Sequence, residues 1–329
     1  MEEKVDILLA TFKPNIDYLK QQIDSILNQT HKNFSLHISD DFSNDKEVIE
    51  VLDNYEKKDD RIIIYKQEKN LGFIKNFEFL LEKSTSKYIL FCDQDDVWDS
   101  NKIEESLKKI KENDVDLVYC NARHINEKNE TIHPNYFKYK NMPLVKGQNK
   151  ILGISRYLGI GCSQIFTSEV KQKMLPFKDS VMAHDWLASF IANEGKGVDY
   201  IEEPLFSYRL HTNNVFGGRS LNQNINKWKE EHGSSYKSYL KYRNEKVIDK
   251  AYLDGAKMCL EYSENLENKS KIEKLIKYYE KLKRVKYINF NILKYNKYLN
   301  GKNIGKKKIK ELVIFHMPIM GYLIYILQK

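Results

Sequence analysis

The 329-residue sequence is poor in glycine and proline and contains few cysteines, with 14 Gly, 6 Pro and 4 Cys. This scarcity of glycine and proline, together with 22 Tyr and 15 Phe, excludes a disordered or low-complexity chain. The cysteines lie far apart and form no CxxC pair. Their spacing argues against a zinc site or a disulfide framework, and it favours a reducing compartment.

Long hydrophobic runs are nearly absent as well. No apolar signal segment follows the N-terminal Met-Glu-Glu-Lys, so we expect a cytosolic protein. The longest apolar run covers residues 312–327 and is interrupted by His316, Pro318 and Gly321. It is shorter than the roughly 20 residues that a membrane-spanning helix needs. Two interpretations stay open, a helix buried in a C-terminal helical region or a segment lying in the membrane interface.

Positive charge is concentrated at the C-terminus. Residues 271–329 hold 15 Lys and Arg against 3 Asp and Glu, a surplus of +12, whereas the whole chain carries +8, which leaves −4 for residues 1–270. Nucleic acid and anionic lipid are the partners that suit such a tail. Because the end of the tail is too apolar for a solvated arm, we expect peripheral contact with the inner membrane surface and no nucleic acid.

Strand and helix patterns alternate through the first 120 residues. The predicted strands are residues 5–10, 34–39, 61–66, 87–92 and 115–120. The predicted helices between them are residues 15–28, 45–55, 72–81 and 101–111. This alternation predicts βαβ units and an α/β fold with a mainly parallel sheet flanked by helices.

The remainder of the chain is less regular. Residues 121–147 look like a polar connection, after which strands are predicted at 161–167 and 204–211 and a helix at 184–195. Beyond residue 220 the composition becomes rich in Lys, Tyr and Asn, with helical periodicity to about residue 299. We therefore divide the chain into a domain of residues 1–220 and a helical appendage of residues 221–329.

Polar or acidic residues follow three of the predicted strands. These stretches are Thr11-Phe12-Lys13-Pro14, Asp40-Asp41-Phe42-Ser43 and Asp93-Gln94-Asp95-Asp96. In parallel α/β sheets, ligands bind beyond the carboxyl ends of the strands, so the three stretches are expected to meet at one edge. The last stretch places three carboxylates within four residues, which suits either a solvated acidic turn or a site for a cation and its anionic ligand.

The ordered segments ILLATFKPN, SDDFSND, KNLGFIKN and KYILFCDQDDVW resemble the GT-A-fold, family 2 glycosyltransferases. The later stretch HDWLASFIANEGKGVDYIEEPLFSYRLHTNNVFG is similar to the bacterial polysaccharide branch of that family, rhamnosyltransferases in particular. The resemblance covers about residues 4–220. The DxD triplet occurs widely by chance, whereas the ordered set of five segments is specific.

The resemblance implies a dTDP- or UDP-linked sugar donor and a divalent cation, Mg²⁺ or Mn²⁺. It makes Asp95 the direct metal ligand, with Asp93 facing the ribose or the waters of the metal. His211 corresponds to a position that approaches the diphosphate or the metal. Arg209 either contacts phosphate or pairs with an acid in the core. The alternative for the acidic loop is a turn that starts the helix at Asn101.

The nucleotide contacts are also implied by the resemblance. Asp40 matches the acidic residue that binds the nucleobase or ribose, with Thr11 as a polar contact and Phe12 as an apolar wall. Asp41 is either a supporting partner of this pocket or a turn residue. Lys75 is either near the nucleotide or a solvated helix lysine.

Asp185, in the His184-Asp185-Trp186 motif, matches the catalytic base of the family. An inverting transfer needs a carboxylate that takes the proton of the acceptor hydroxyl, and a helix N-terminus would keep that carboxylate ionised. The alternative is an aspartate that caps the helix. Trp186 either forms a platform for the acceptor sugar or packs inward.

The resulting expectation is an inverting, metal-dependent glycosyltransferase of bacterial surface polysaccharide synthesis. Residues 1–120 would bind the donor, with rhamnose as the favoured sugar, and residues 121–220 would bind a saccharide or lipid-linked acceptor. Two alternatives stay open, a hexose or N-acetylhexosamine donor, and an inactive transferase-like scaffold.

Overall fold

The computed structural model describes residues 2–140, 142, 144–148, 158–211 and 221–284. The chain divides into two compact units. The first unit comprises residues 1–149 and 157–210, and the second comprises residues 150–156 and 211–329.

A large β-sheet forms the centre of the first unit. Its strands are β1 (Val5–Thr11), β2 (Phe34–Asp40), β3 (Ile62–Lys66), β4 (Tyr88–Cys92), β5 (Val97–Trp98), β6 (Leu117–Ile125), β7 (Thr131–His133), β8 (Gln164–Thr167) and β9 (Val198–Arg209). Within the described residues these nine strands follow the order β3-β2-β1-β4-β8-β6-β9-β5, with β7 paired to β6.

Seven helices of the described residues belong to the same unit. They are α1 (Ile16–Leu27), α2 (Lys46–Lys58), α3 (Phe73–Lys83), α4 (Lys102–Glu112), α5 (Tyr136–Lys140), α6 (Ser168–Met174) and α7 (His184–Glu194). The sequence predicts α1 to α4 and α7, but it predicts neither α5 nor α6. α1 shows why the predicted helices form. The side chain of Asn15 caps it by accepting the N–H groups of Asp17 and Tyr18, and its buried stripe includes Leu19 and Ile23.

Strands β3, β2, β1 and β4 are parallel neighbours, connected by α1, α2 and α3. β4 is buried along its whole length, as expected for a continuous apolar run covered on both faces. Thr11 lies opposite Asp40 at the ends of β1 and β2. The strand–helix alternation predicted for this region is confirmed, and the carboxyl ends of the strands share one edge.

Strand β8 runs antiparallel between β4 and β6. Ile89 of β4 lies opposite Phe166, and Val118 of β6 lies opposite Ile165. A single 3₁₀ turn, Gly161–Ser163, precedes β8. The turn therefore lies at the middle of the sheet, where the parallel strands end.

The predicted polar connection at residues 121–147 is wrong in its first half. β6 continues to Ile125 and pairs with β7, and α5 follows. The polar side chains of β6 look like those of a loop in the sequence. In the structure they form hydrogen bonds and an ion pair inside the fold. Asn121 donates to the carbonyl oxygen of Glu202 at 2.8 Å, and Arg123 forms a two-point ion pair with Asp99, with both distances 2.7 Å.

The second unit is helical in its described part. It contains α8 (Leu221–His232), α9 (Tyr236–Tyr242), a π-helix (Arg243–Leu253), α10 (Asp254–Tyr262) and α11 (Leu266–Arg284). Its buried core includes Trp228, which stacks on His232 at 3.8 Å between ring centres. None of the described helices combines the length and hydrophobicity needed to span a membrane. The predicted apolar segment at 312–327 lies outside the described residues.

Candidate active site

The loops that follow β1, β2 and β4 meet at the carboxyl edge of the sheet. Oε1 of Gln94, in the third loop, accepts hydrogen bonds from Oγ1 of Thr11 at 2.8 Å and from the N–H of Phe12 at 2.9 Å. The N–H of Asp41, in the second loop, donates to the carbonyl oxygen of Thr11 at 2.8 Å. The predicted convergence of the three stretches is thus present.

An open cavity of about 580 Å³ lies between the first two loops. Phe12 and Phe42 line it, with 42% and 43% of their surface exposed. Lys13, Phe42 and Asn44, which also line it, have positive φ angles of 44°, 61° and 51°. Left-handed backbone at residues other than glycine is sterically costly and concentrates at functional sites. The fold therefore holds this cavity open at some conformational cost.

Asp40 and Asp41 are equally buried, each 3% exposed, but have different partners. The carboxylate of Asp40 accepts the hydroxyl and the N–H of Ser43, the latter at 3.0 Å. The carboxylate of Asp41 accepts the N–H groups of Leu71 and Gly72 at 2.6 and 2.9 Å. Asp41 therefore fixes the loop that starts α3, which favours its interpretation as a supporting residue.

Asp93, Asp95 and Asp96 occupy the loop after β4. Burial and the negative charge of Asp95 raise the pKa of Asp93 to about 7. Asp96 is fully buried, and burial raises its pKa well above the usual range. Its Oδ1 accepts the N–H of Arg209 at 3.1 Å, whereas its Oδ2 finds no hydrogen-bond partner in the described part of the chain. These crowded carboxylates would be stabilised by a cation.

A carboxylate oxygen of Asp93, one of Asp96 and the Sγ of Cys162 lie within 4.8 Å of one another. Carboxylate oxygens are the ligands that Mg²⁺ and Mn²⁺ prefer, and the unpaired Oδ2 of Asp96 has capacity for one more interaction. The residues present thus fit a divalent cation. Asp95, the ligand expected from the sequence, is not in this group of three.

The turn Gly161–Ser163 connects the acidic loop to helix α7. The thiol of Cys162 lies beside the carboxylates of Asp93 and Asp96, with one ligand atom of each residue within 4.8 Å of the other two. A Cβ atom placed on Gly161 would lie 3.2 Å from Nε2 of His184 and 3.4 Å from the Cβ of Asp185. The close approach of the turn to α7 therefore depends on glycine at position 161.

Asp185 lies in the first turn of α7 and is partly buried. Burial raises its pKa to about 6, although the N–H groups of Trp186, at 2.8 Å, and of Gly161 act in the opposite direction. The expectation that the helix N-terminus dominates is therefore incomplete, because burial outweighs it. The carboxylate is still mostly ionised at neutral pH, as a general base requires.

His184 anchors the start of α7. Its ring stacks on Phe77 at 3.9 Å between centres and meets Phe91 edge-on at 4.6 Å. Burial lowers the pKa of His184 to about 3, so the imidazole is neutral. Because Phe77 belongs to α3 and Phe91 to β4, this packing fixes the neighbouring Asp185 relative to the donor-side elements.

Arg209 has no exposed surface. Its Nε donates to the carbonyl oxygen of Asp95 at 2.8 Å, while Nη1 donates to Oδ1 of Asn129 at 2.6 Å and Nη2 to Oε1 of Gln21 at 2.8 Å. The guanidinium group thus lies inside the fold, where it holds the main chain of the acidic loop.

Three further residues were predicted at the site: Lys75, Trp186 and His211. Nζ of Lys75 is 2.6 Å from Oε2 of Glu78, and the Lys75 side chain is 51% exposed. Trp186 is 5% exposed, which favours the interpretation that it packs inward. His211 is partly buried and begins the second unit, so its role at the metal stays a prediction.

Four residues of the site received no role from the sequence: Phe42, Gln94, Asp96 and Cys162. Gln94 and Asp96 lie within the acidic stretch itself, so the motif pointed to their location but not to their contacts. Phe42 was detectable as an aromatic residue in a polar turn. The spacing of the cysteines gave no signal for Cys162, because the contact with Asp93 depends on the placement of β8.

The family model of glycosyl transferase family 2 matches residues 6–175. An uncharacterised glycosyltransferase of Methanocaldococcus jannaschii is 29% identical over 228 residues, which cover 67% of this chain and 76% of that protein. The O-antigen biosynthesis glycosyltransferase WbnJ of Escherichia coli is 29% identical over 215 residues, with 64% and 80% covered. The matched part is only 24% of a longer uncharacterised glycosyltransferase of Rickettsia felis.

Solved structures of TarS from S. aureus share the fold. The complex with UDP has a TM-score of 0.54 at 12% identity, covering 94% of this chain and 78% of TarS residues 1–349. The complex with UDP-GlcNAc also has a TM-score of 0.54, at 13% identity, with 89% and 86% covered. The predicted GT-A-like α/β fold is thereby confirmed. Because the family model spans more than half of the 329 residues, the chain belongs to glycosyl transferase family 2.

Proposed function

We propose that the chain is an inverting, metal-dependent glycosyltransferase that acts in the assembly of a bacterial surface polysaccharide. It would move a sugar from a nucleotide-diphosphate donor to a saccharide or lipid-linked acceptor. The observation that carries the proposal is the turn Gly161–Ser163, which contacts Asp185 on one side and the carboxylates of Asp93 and Asp96 on the other. One short segment thus lies between the proposed base and the carboxylates that would bind the cation of the leaving diphosphate.

Asp185 is the base in this proposal. Its carboxylate takes the proton of the acceptor hydroxyl as that oxygen attacks the anomeric carbon. A pKa of about 6 supports the role, because it leaves the group ionised at neutral pH and close to the optimum for accepting a proton. The packing of His184 against Phe77 supports a fixed direction for this carboxylate.

The nucleoside of the donor would occupy the cavity lined by Phe12 and Phe42. The two exposed rings offer faces for stacking a pyrimidine. Thr11 and Asp40, which are buried next to these loops, would supply polar contacts. Asp41 supports the pocket by holding the main chain at Leu71 and Gly72. A role for Lys75 near the nucleotide would require it to exchange its partner Glu78.

Asp95 would be the direct ligand of Mg²⁺ or Mn²⁺, with Asp93 facing the ribose or the waters of the metal and Asp96 as a further carboxylate of the same loop. When bound, the ion supplies Lewis-acid stabilisation of the diphosphate. Arg209 supports this arrangement by binding the main chain of Asp95. We retain His211 as a proposed contributor to the metal or the diphosphate.

Rhamnose is the proposed donor sugar, on the resemblance of the HDW and YRLH segments to rhamnosyltransferases. A hexose donor is the second candidate. It is favoured by a relative named UDP-Glc:alpha-D-GlcNAc-diphosphoundecaprenol beta-1,3-glucosyltransferase WfgD of Escherichia coli, 28% identical over 163 residues that cover 48% of this chain and 58% of that protein. An inactive scaffold is disfavoured, because the chain retains both the base and the acidic loop.

The domain assignment is also a proposal. Residues 1–120 would bind the donor, residues 121–220 the acceptor, and residues 221–329 would form the helical appendage. The basic C-terminal part would contact anionic lipid at the cytoplasmic face of the membrane, where a lipid-linked acceptor is available.

A donor screen tests the proposed activity. The purified full-length chain is incubated with a panel of UDP-, dTDP- and GDP-sugars, with Mg²⁺ or Mn²⁺ and with saccharide or lipid-linked acceptors, and the release of nucleoside diphosphate is measured. We expect release with one class of donor, dependent on both cation and acceptor. Tight binding of a sugar nucleotide without transfer to any acceptor would support the scaffold instead.

A further inference from the structure

We propose that Asp93, Asp96 and Cys162 form a site for a thiophilic divalent cation such as Zn²⁺ or Cd²⁺, in which the sulfur of Cys162 is a direct ligand. The proposal deepens the proposed function, because the same acidic loop would serve the donor-binding cation, but the binding itself does not depend on catalysis.

The first support is the geometry of the three side chains. One ligand atom from each residue lies within 4.8 Å of the other two. Bonds from Zn²⁺ to carboxylate oxygen and to cysteine sulfur are about 2.0–2.3 Å long, so in tetrahedral coordination two ligand atoms lie about 3.5 Å apart. The three atoms would therefore have to draw together by about 1 Å to reach bonding distance.

The second support is an unpaired buried oxygen. Asp96 is 0% exposed, and its Oδ2 finds no hydrogen-bond partner among the described residues. A buried carboxylate oxygen without a partner is unfavourable, and a cation between Asp93 and Asp96 removes this cost. The other carboxylate oxygen of Asp96, Oδ1, accepts the N–H of Arg209 at 3.1 Å, so the orientation of the carboxylate does not depend on a ligand.

The third support is the chemistry of the donor set. Two carboxylates and a thiolate provide three of the four ligands of tetrahedral Zn²⁺ and leave one position for water or a phosphate oxygen. Mg²⁺ prefers oxygen alone and gains nothing from sulfur. When a thiophilic cation binds, the S–H bond of Cys162 breaks, the sulfur–metal bond forms and one proton is released to the solvent.

The arrangement is specific to Cys162 among the cysteines of the first unit that the structure describes. Cys92, Cys120 and Cys162 are all buried and free, yet only Cys162 joins two carboxylates in the described part of the chain. Cys120 is therefore a matched control, because it is an equally buried thiol of the same unit without a place in the group of three.

The test is a titration of the full-length chain with Cd²⁺, followed by the ultraviolet sulfur-to-cadmium charge-transfer absorption and by calorimetry. We expect a charge-transfer band in the wild type and in Cys120→Ser. In Cys162→Ser the band should be lost, with Cd²⁺ affinity lower by about 10- to 100-fold or more. Mn²⁺ affinity, measured by electron paramagnetic resonance, should change far less, since serine keeps an oxygen at this position.

An unchanged band and affinity in Cys162→Ser would overturn the proposal. So would an equal loss of Mn²⁺ and Cd²⁺ affinity, because that result assigns Cys162 a purely structural role. Thermal unfolding of each variant shows whether it folds, and Asp96→Asn gives a second variant that should also weaken Cd²⁺ binding. Failure of sugar transfer in the donor screen leaves this titration interpretable, since it needs neither donor nor acceptor.

Discussion

Arg209 donates a hydrogen bond from its Nε to the main-chain carbonyl oxygen of Asp95 at 2.8 Å, across 114 residues of sequence. The N–H of Arg209 also donates to Oδ1 of Asp96 at 3.1 Å. The end of β9 thus holds the acidic loop through one main-chain oxygen and one carboxylate oxygen. The second carboxylate oxygen of Asp96, Oδ2, has no hydrogen-bond partner among the described residues.

Replacing this arginine should destabilise the protein and loosen the loop. In Arg209→Met, the carbonyl oxygen of Asp95 and the side chains of Gln21 and Asn129 lose a charged donor, which should lower the free energy of unfolding by about 3 kcal/mol. Urea denaturation measures this change. Arg61→Met is the control, because Arg61 forms a partly exposed pair with Asp59, and an equal loss in both variants would contradict the prediction.

Asp185→Asn should abolish transfer while nucleotide binding persists. The amide cannot accept the proton of the acceptor hydroxyl, so the turnover rate should fall by about 10²- to 10⁴-fold. Nucleoside diphosphate release measures the rate, and calorimetry with UDP or dTDP measures binding. Near-normal turnover would remove Asp185 from the role of base.

The pH dependence of the wild-type transfer rate should reflect the protonation of Asp185. The pKa of Asp185 is raised to about 6, so the carboxylate becomes protonated, and the base is lost, as the pH falls through that value. At saturating cation and donor, kcat/KM for the acceptor should be constant at neutral pH and fall by about tenfold per pH unit below about 6. A rate that stays constant down to about pH 5 would contradict this assignment.

Phe42→Ala should weaken nucleotide binding. Stacking of a base on an aromatic ring contributes about 1–3 kcal/mol, so Kd should rise by about 5- to 150-fold. Tyr139→Ala is a suitable control, since Tyr139 is a 49% exposed aromatic residue that does not line the cavity. If both variants bind the nucleotide as the wild type does, the base does not occupy this cavity.

Asp41→Asn should reduce stability more than nucleotide affinity. The amide retains one acceptor, but its NH₂ group then faces the N–H of Leu71 or Gly72, at a cost of about 2 kcal/mol. Thermal unfolding tests this change against Asp45→Asn, in which an exposed helix cap is replaced by an equally good one. A large loss of affinity at unchanged stability would instead indicate direct contact with the nucleotide.

The parallel half of the fold could be predicted because its strands are short apolar runs and its helices carry clear apolar stripes. β4 and α1 are examples, each found within about one residue of its expected bounds. β6 extends beyond its predicted end because Asn121 and Arg123 look like loop residues until their partners are known. β9 begins at Val198 for a similar reason, since its first half contains exposed Glu202 and Glu203.

The candidate site was predictable at the level of its loops and less so at the level of contacts. The rule that parallel strands end at a common edge brought Thr11, Asp40 and the acidic stretch together. No such rule locates Cys162, because its place depends on β8 inserting antiparallel between β4 and β6. Long-range pairing of that kind leaves no periodic trace in a single sequence.

The insertion of β8 also limits how the enzyme can move. Hydrogen bonds on both sides tie this strand to β4 and β6, and the turn before it contacts Asp93, Asp96 and the start of α7. The acidic loop and the start of α7 are therefore linked through paired strands, which opposes a hinge motion between them. Under the proposed function, entry of the donor and departure of the nucleotide would then depend on the loops at the rim of the sheet.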